Sequence, residues 1–277
     1  MSIESLYAWK GDDKSKVKNH FLLPSSIRGL IIGRSGCGKT TLLNNLLLKD
    51  GFLDYDNLLV FGPSLHQVEY RIMKSAFDKG LSKDQIRVVF EKQHDINSMG
   101  IDPDKIISDY DGVCKGNIKA NFYSQGEAEV PDPVDLNPTA KNLLVLDDIM
   151  TGPQSKAEDF YTRGRHNSVN VFYISQSYHR LPRQTIRENS NFLILFPQDE
   201  KNLRHIYEDR CSADPVSYDL FKKMCTTVWN EKPFNFVTID STRQLHTGKY
   251  RKNLDEFWIQ PPLQQSTSSS PTKKKRK

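Results

Sequence analysis

Eight consecutive residues carry the strongest chemical signal in this 277-residue sequence: Gly33-Arg34-Ser35-Gly36-Cys37-Gly38-Lys39-Thr40. Glycines at this spacing, after a short apolar run and before a helical one, let backbone N–H groups turn inward around a phosphate. Lys39 is placed to reach the outer phosphates of a nucleotide, and the Thr40 hydroxyl to ligate Mg2+. With Thr41, these residues form the candidate nucleotide-binding stretch. A second signal lies downstream, where the apolar run Leu143-Leu144-Val145-Leu146 ends in Asp147 and Asp148. Asp147 is placed to hold the metal's hydration shell, and Asp148 to orient an attacking water. Aspartate is shorter than the glutamate often found in that role, so a slow basal rate is expected.

Three further positions complete the constellation. Gln176 follows directly on the apolar run Val169 to Ser175, where its amide would sit beside the terminal phosphate and report its presence. The alternative is a polar strand cap. An arginine outside the phosphate loop can stabilise charge on a transferring phosphoryl group, including from a neighbouring subunit. Arg163 and Arg165 are the candidates, Arg165 the nearer to the strand; a solvated helix-end charge is the alternative for each. Arg180, Arg183 and Arg187 could line a DNA path or a subunit interface, although an exposed face explains them more simply.

These residues need a scaffold, and the hydrophobic pattern supplies one. Apolar runs at 29–32, 57–61, 87–90, 143–146, 169–175, 192–196 and 234–239 read as strands, the last one antiparallel at the sheet edge. Helical spacing appears at 40–49, 66–78, 154–163, 182–189, 199–209 and 215–227. Strand and helix alternating in this way predict an α/β fold, a mostly parallel sheet with helices on both faces. Residues 1–22 read as an N-terminal extension and 23–260 as one domain. Within it, the Gly-, Pro- and acid-rich stretch 111–140 reads as an insertion loop, and 261–277 reads as a disordered basic tail.

Composition narrows the classes. An apolar fraction of 37% is too high for a wholly disordered chain, and no apolar stretch is long enough for a membrane span. The N-terminus lacks the apolar core of a secretory signal. The formal charge of +5 belongs to Lys273–Lys277; without them the basic residues match the 34 acidic ones. A neutral body argues against a strongly basic binding face. The tail PTKKKRK suits nuclear import, a DNA tether or a solubilising end. Cys211 and Cys225 with His205 lack zinc-ligand spacing, so the four cysteines read as buried or idle thiols in a reducing compartment.

Taken together, IRGLIIGRSGCGKTTLLNNLL, NLLVFGPSLHQ, LLVLDD, TRGRH and VFYISQS resemble the genome-packaging ATPases of double-stranded DNA viruses in the FtsK/HerA superfamily. The branch is the poxvirus type shared with virophages, Polinton-type elements and large DNA viruses. HTGKYRKNLDEFW is similar to a basic-aromatic motif near the end of many such proteins, and the resemblance spans about residues 22–258. It implies a P-loop NTPase of the RecA/FtsK-like, ASCE type, with Walker A at Lys39 and Thr40 and Walker B at Asp147 and Asp148. Gln176 would be the sensor, and Arg163 or Arg165 the trans-acting finger. The implied cofactors are ATP and Mg2+. The implied partners are double-stranded DNA, further copies of the chain in a ring, and capsid proteins, with the host nucleus or the virion as the place of action. Two alternatives remain: a nucleotide-binding virion-assembly scaffold, or another DNA-dependent P-loop ATPase.

Overall fold

Every apolar run read as a buried strand, save one, enters a single sheet. The computed structural model describes residues 17–91, 102–108, 110, 112–124, 130–167 and 169–258. Its strands are β1 (Arg28–Ile32), β2 (Asn57–Gly62), β3 (Lys119–Ser124), β4 (Asn142–Asp147), β5 (Val169–Ser175), β6 (Phe192–Leu195), β7 (Val237–Asp240), β8 (Tyr250–Lys252) and β9 (Glu256–Phe257). They hydrogen-bond in the order β3-β2-β4-β5-β1-β6-β7-β8-β9. The first six are mutually parallel and the last three antiparallel.

Helices cover both faces. α1 (Lys39–Leu48), α2 (Val68–Asp78) and α3 (Lys83–Glu91) bury Leu43, Leu47, Ile72, Met73 and Ile86 in one core with Ile31, Val60, Val145 and Ile174 of the sheet. A short helix, α4 (Pro103–Ser108), adds Ile107 to that layer. α5 (Ser155–Arg163), α6 (Glu200–Arg210) and α7 (Tyr218–Glu231) pack Phe160, Ile206 and Phe221 against Leu30, Leu144, Leu146 and Val171 on the other face. Neighbouring strand residues thus enter opposite cores, as the pleat requires, and central strands buried on both faces are mainly apolar. Each such Leu, Ile or Val contributes about 1.5–3 kcal/mol on leaving water. Tyr161 of α5 also donates from its hydroxyl to the Gly29 carbonyl (2.6 Å), fixing that helix against β1.

Three expectations from the sequence are corrected. The run Arg87–Phe90 is helical, the second half of α3. Ile86 and Val89 are buried while Val88 is exposed, the three-residue spacing of a helix face. The Ser82–Gln85 pair closes the start of α3: Ser82 N–H donates to Gln85 Oε1 at 2.8 Å. The stretch 111–140, expected to be an insertion loop, supplies β3, which pairs in parallel with β2 at one edge of the sheet. Its polar residues are explained by that edge position, where one strand side is unpaired. β7 is antiparallel as expected but interior, because β8 and β9 extend the sheet beyond it.

Residues 17–22 of the expected extension pack onto the body, with Val17 and Leu22 buried. A buried ion pair anchors them. Asp240, at the end of β7, accepts from Arg251 Nη2 at 3.1 Å and from Arg243 Nε at 3.1 Å. Those guanidiniums also donate to the carbonyls of Leu22 and Phe21 respectively. Burial pulls the Arg251 guanidinium down to about 10, against the attraction of Asp240. The remaining Asp240 oxygen accepts from the backbone and hydroxyl of Thr242, so the buried carboxylate is fully satisfied.

Candidate nucleotide site

The sheet order decides what the loop after β1 faces. β5 stands between β1 and β4, so Gln176, just past β5, lies between the glycine-rich loop and the carboxylates that end β4. The register aligns Ile32 with Ser175 and Asp147 with Ile174, bringing all three strand ends to one edge. There a cleft of about 360 Å³ is lined by Lys39, Thr40, Asp147, Asp148 and Gln176, together with Ser35, Gly36, Gly38 and Thr41.

Glycine is required at two points of the loop. Gly38 precedes α1 with φ 94 and ψ 12, a left-handed conformation that most side chains resist. A Cβ on Gly33 would lie 2.5 Å from Cys37 Sγ and 2.7 Å from Phe196 Cβ. The loop therefore closes tightly on itself, with Cys37 turned toward the core and Arg34 exposed. Gly33, Arg34 and Cys37 do not line the cleft; the other loop residues from Ser35 to Thr41 do. Burial raises the Cys37 thiol pKa, and the nearby Lys39 charge partly offsets that rise. The Lys39 amine donates to the carbonyls of Gly33 (2.7 Å) and Arg34 (2.8 Å), which holds its charge at the loop mouth.

The two aspartates differ sharply. Asp147 is buried, and its Oδ2 accepts from the Tyr70 hydroxyl at 2.6 Å. Burial raises its pKa; the Tyr70 hydrogen bond opposes that, Asp148 reinforces it, and Lys39 opposes it. Asp148 has φ 50 and ψ 38, a left-handed turn that aspartate tolerates better than most residues. Its N–H still donates to the Ile174 carbonyl (3.0 Å), so the ladder with β5 runs to this point and then turns the carboxylate outward. There Asp148 Oδ2 accepts from Gln176 Nε2 at 2.8 Å. The sequence-derived sensor and the sequence-derived water-orienting acid are direct partners.

Four residues of the cleft were not singled out from the sequence: Ser64, Gln67 and Glu69, around the start of α2, and Phe234 before β7. Tyr70, which holds Asp147, was likewise not singled out. Ser64 and Gln67 fall within the NLLVFGPSLHQ segment, Glu69, Tyr70 and Phe234 outside it, and a hydroxyl reaching a carboxylate 77 positions away leaves no local trace.

The arginines stand elsewhere. Arg163 ends α5, before the first residue of β5, so it lies at the opposite edge of the sheet from Asp147 and the loop. Seven strand residues separate the two edges, about 20 Å at the usual rise. Its guanidinium pairs with Asp159 one turn earlier. The Arg165 side chain lies outside the described residues, and its backbone belongs to a short 3-10 turn at that same edge. Arg163 does not line the cleft of its own chain.

Of the three arginines after Gln176, Arg180 and Arg183 are exposed as expected and one is not. Arg187 is buried, pairs with Asp209 at 3.1 Å and lies over the Tyr178 ring, against the expectation of an exposed face. Within the basic-aromatic segment, Lys249 pairs with Asp214, Arg251 with Asp240, and Lys252 with Glu231 and Glu256. Cys211 and Cys225 are buried, and burial pushes the Cys211 thiol up to about 12. Among the described residues no group of His, Cys, Asp or Glu is arranged to hold a metal by itself.

A glycine-rich loop between a buried strand and a helix, with one strand standing between that strand and the acidic one in a mostly parallel sheet, is the arrangement of the P-loop NTPase fold of the additional-strand class. No protein-family model matches the chain, and no curated protein matches it either. Among solved structures it is similar to the genome packaging NTPase B204 from Sulfolobus turreted icosahedral virus 2 in complex with AMPPCP. That pair shares 11% identity over 83% of this chain and 98% of B204, with a TM-score of 0.48. It is also similar to VirB4 of Thermoanaerobacter pseudethanolicus (11% identity, 86% of this chain, 90% of that one, TM-score 0.44). A further similarity is to the plasmid coupling protein TrwB in complex with the GTP analogue GDPNP (12% identity, 88% and 90% covered, TM-score 0.41).

Proposed function

We propose that this chain hydrolyses ATP and couples hydrolysis to the movement of double-stranded DNA, as the motor that packages a viral genome into a preformed capsid. The observation that carries the hydrolytic part is the Gln176–Asp148 hydrogen bond inside the cleft that Lys39 and Asp147 also line. The loop's N–H groups and the start of α1 would cradle the phosphates, and Lys39 would neutralise the outer ones. Asp148 would orient the attacking water. Gln176 has one amide N–H on Asp148, so the terminal phosphate would compete for the same group, and its loss would be felt at β5.

The residues present fit Mg2+. Asp147 gives one oxygen to Tyr70, which leaves the other for a metal's water shell, and Thr40 offers a hydroxyl from the first turn of α1. Mg2+ commonly keeps several waters and substrate oxygens, so a site with two protein groups suits it. Bound there it would offset charge on the phosphates.

The DNA and capsid parts rest on the sequence resemblance, and a neutral body suits a translocase that must release its track each cycle. Grip would then be mainly on phosphates, independent of sequence and weakened by salt. Arg163 or Arg165, set at the far sheet edge, would serve a neighbour's cleft in a homo-oligomeric ring. The tail PTKKKRK would take the protein to the nucleus; those residues lie outside the described ones.

The experiment is steady-state ATP hydrolysis with and without long duplex DNA, beside Lys39→Ala. Turnover that rises several-fold with DNA and vanishes in the variant supports the motor. Turnover indifferent to DNA leaves an ATPase of virion assembly, and no turnover leaves a nucleotide-binding scaffold.

A further inference from the structure

Phe234 combines three features that packing does not account for. Its φ is 64, in the left-handed region where a bulky residue is strained. The residue is 68% exposed. And its ring stands over the phosphate loop, with Cδ1 3.2 Å from the position a Cβ on Gly38 would take. A strained backbone that holds an apolar ring in water is unfavourable twice, unless something covers the ring.

The surroundings show what would. Phe234 lines the phosphate cleft on one side and, on the other, an apolar cleft of about 300 Å³ walled by Leu42, Phe196 and Phe236. Phe196 and Phe236 pack together at 5.4 Å. The two clefts share Gly38, Thr41 and Phe234, so one molecule can pass from the first into the second. The direction of a nucleotide follows from charge. Its terminal phosphate belongs with Lys39, Asp148 and Gln176, so its other end leaves over Gly38 and Thr41, where the lining turns apolar.

We propose that Phe234 is the stacking platform for the base of the bound nucleotide, and that the cleft beside it takes purines with little discrimination. The inference rests on the phosphate reading of the loop. Stacking on an aromatic face is tolerant of base identity. The polar side chains that line the cleft are Thr41 and Asn45, and Asn45 carries an amide able to donate or accept. It can meet the edge of adenine or of guanine.

Three ligands separate this proposal from the reading beneath it: ATP, GTP and inorganic tripolyphosphate, which has no base. Each is titrated onto the full chain with Mg2+ by calorimetry. ATP and GTP are expected to bind within about three-fold of each other. Phe234→Gly removes the ring and relaxes the backbone, so the fold is kept; it is expected to weaken ATP and GTP about ten-fold and leave tripolyphosphate unchanged. Phe234→Trp is expected to retain ATP affinity. Unchanged ATP binding in Phe234→Gly, or equal weakening of tripolyphosphate, overturns the platform. A preference for one purine above about 30-fold overturns the tolerance. If Lys39→Ala leaves tripolyphosphate binding intact, the phosphate reading itself fails and the platform with it.

Discussion

Asp147 and Asp148 are adjacent in sequence and the same in type, yet the fold gives them different environments. Asp147 is buried against Tyr70, whereas Asp148 turns outward on a left-handed residue to meet Gln176. Removing the Asp148 carboxylate while keeping its shape, as Asp148→Asn, is expected to lower kcat at least about 100-fold with ATP affinity little changed; single-turnover and binding measurements check it. Asp148→Glu extends the same group and is expected to raise basal turnover. Cys37 supplies a second handle. Its thiol is half-buried in the loop, and burial raises its pKa, so alkylation should accelerate only at a higher pH than for a free thiol. Saturating Mg2+·ATP is expected to slow that alkylation at least about ten-fold, read by mass spectrometry of the Cys37 peptide, because bound phosphates would hold the loop closed over the core-facing thiol.

At the scale of elements, the far end of the sheet is secured by charge. Arg251 and Asp240 are both buried, and Arg251 also ties the backbone of Leu22 to β8. Arg251→Ala takes one of two guanidiniums from the buried Asp240 carboxylate, leaving Arg243 and Thr242, and is expected to destabilise the protein by about 1.5–3 kcal/mol, measured by urea denaturation. The same variant should expose residues 17–23 to limited proteolysis before the body is cut. α3 shows why sequence reading faltered here. Val88 and Val89 are β-branched and favour strands, but Ser82 and Gln85 form a start signal that outweighs them. β3 was missed for the opposite reason: Lys119-Ala-Asn-Phe-Tyr-Ser lacks an apolar run, because an edge strand has only one paired side.

For the whole molecule, the position of Arg163 and Arg165 at the sheet edge opposite the cleft bears directly on assembly. The backbones of both lie away from their own chain's cleft, so a catalytic role would call on a second subunit. Mixing Lys39→Ala chains with chains lacking both arginines is expected to restore a fraction of wild-type hydrolysis, since each subunit type repairs one interface; no restoration excludes the trans role. DNA-stimulated turnover should fall steeply between 50 and 200 mM salt, as phosphate contacts require.

What the sequence determined by itself is local: a glycine loop between an apolar strand and a helix, an apolar strand ending in two aspartates, a glutamine after the next strand, and the α/β alternation that carries them. Each is written in neighbouring residues, because backbone freedom and strand or helix periodicity act over a few positions. Tertiary structure alone decided that Tyr70 holds Asp147, that Gln176 donates to Asp148, that Phe234 stands over Gly38, and that the arginines lie at the opposite edge. Those contacts depend on strand order and on crossovers spanning many residues, and no periodicity in the chain records which strand will stand beside which.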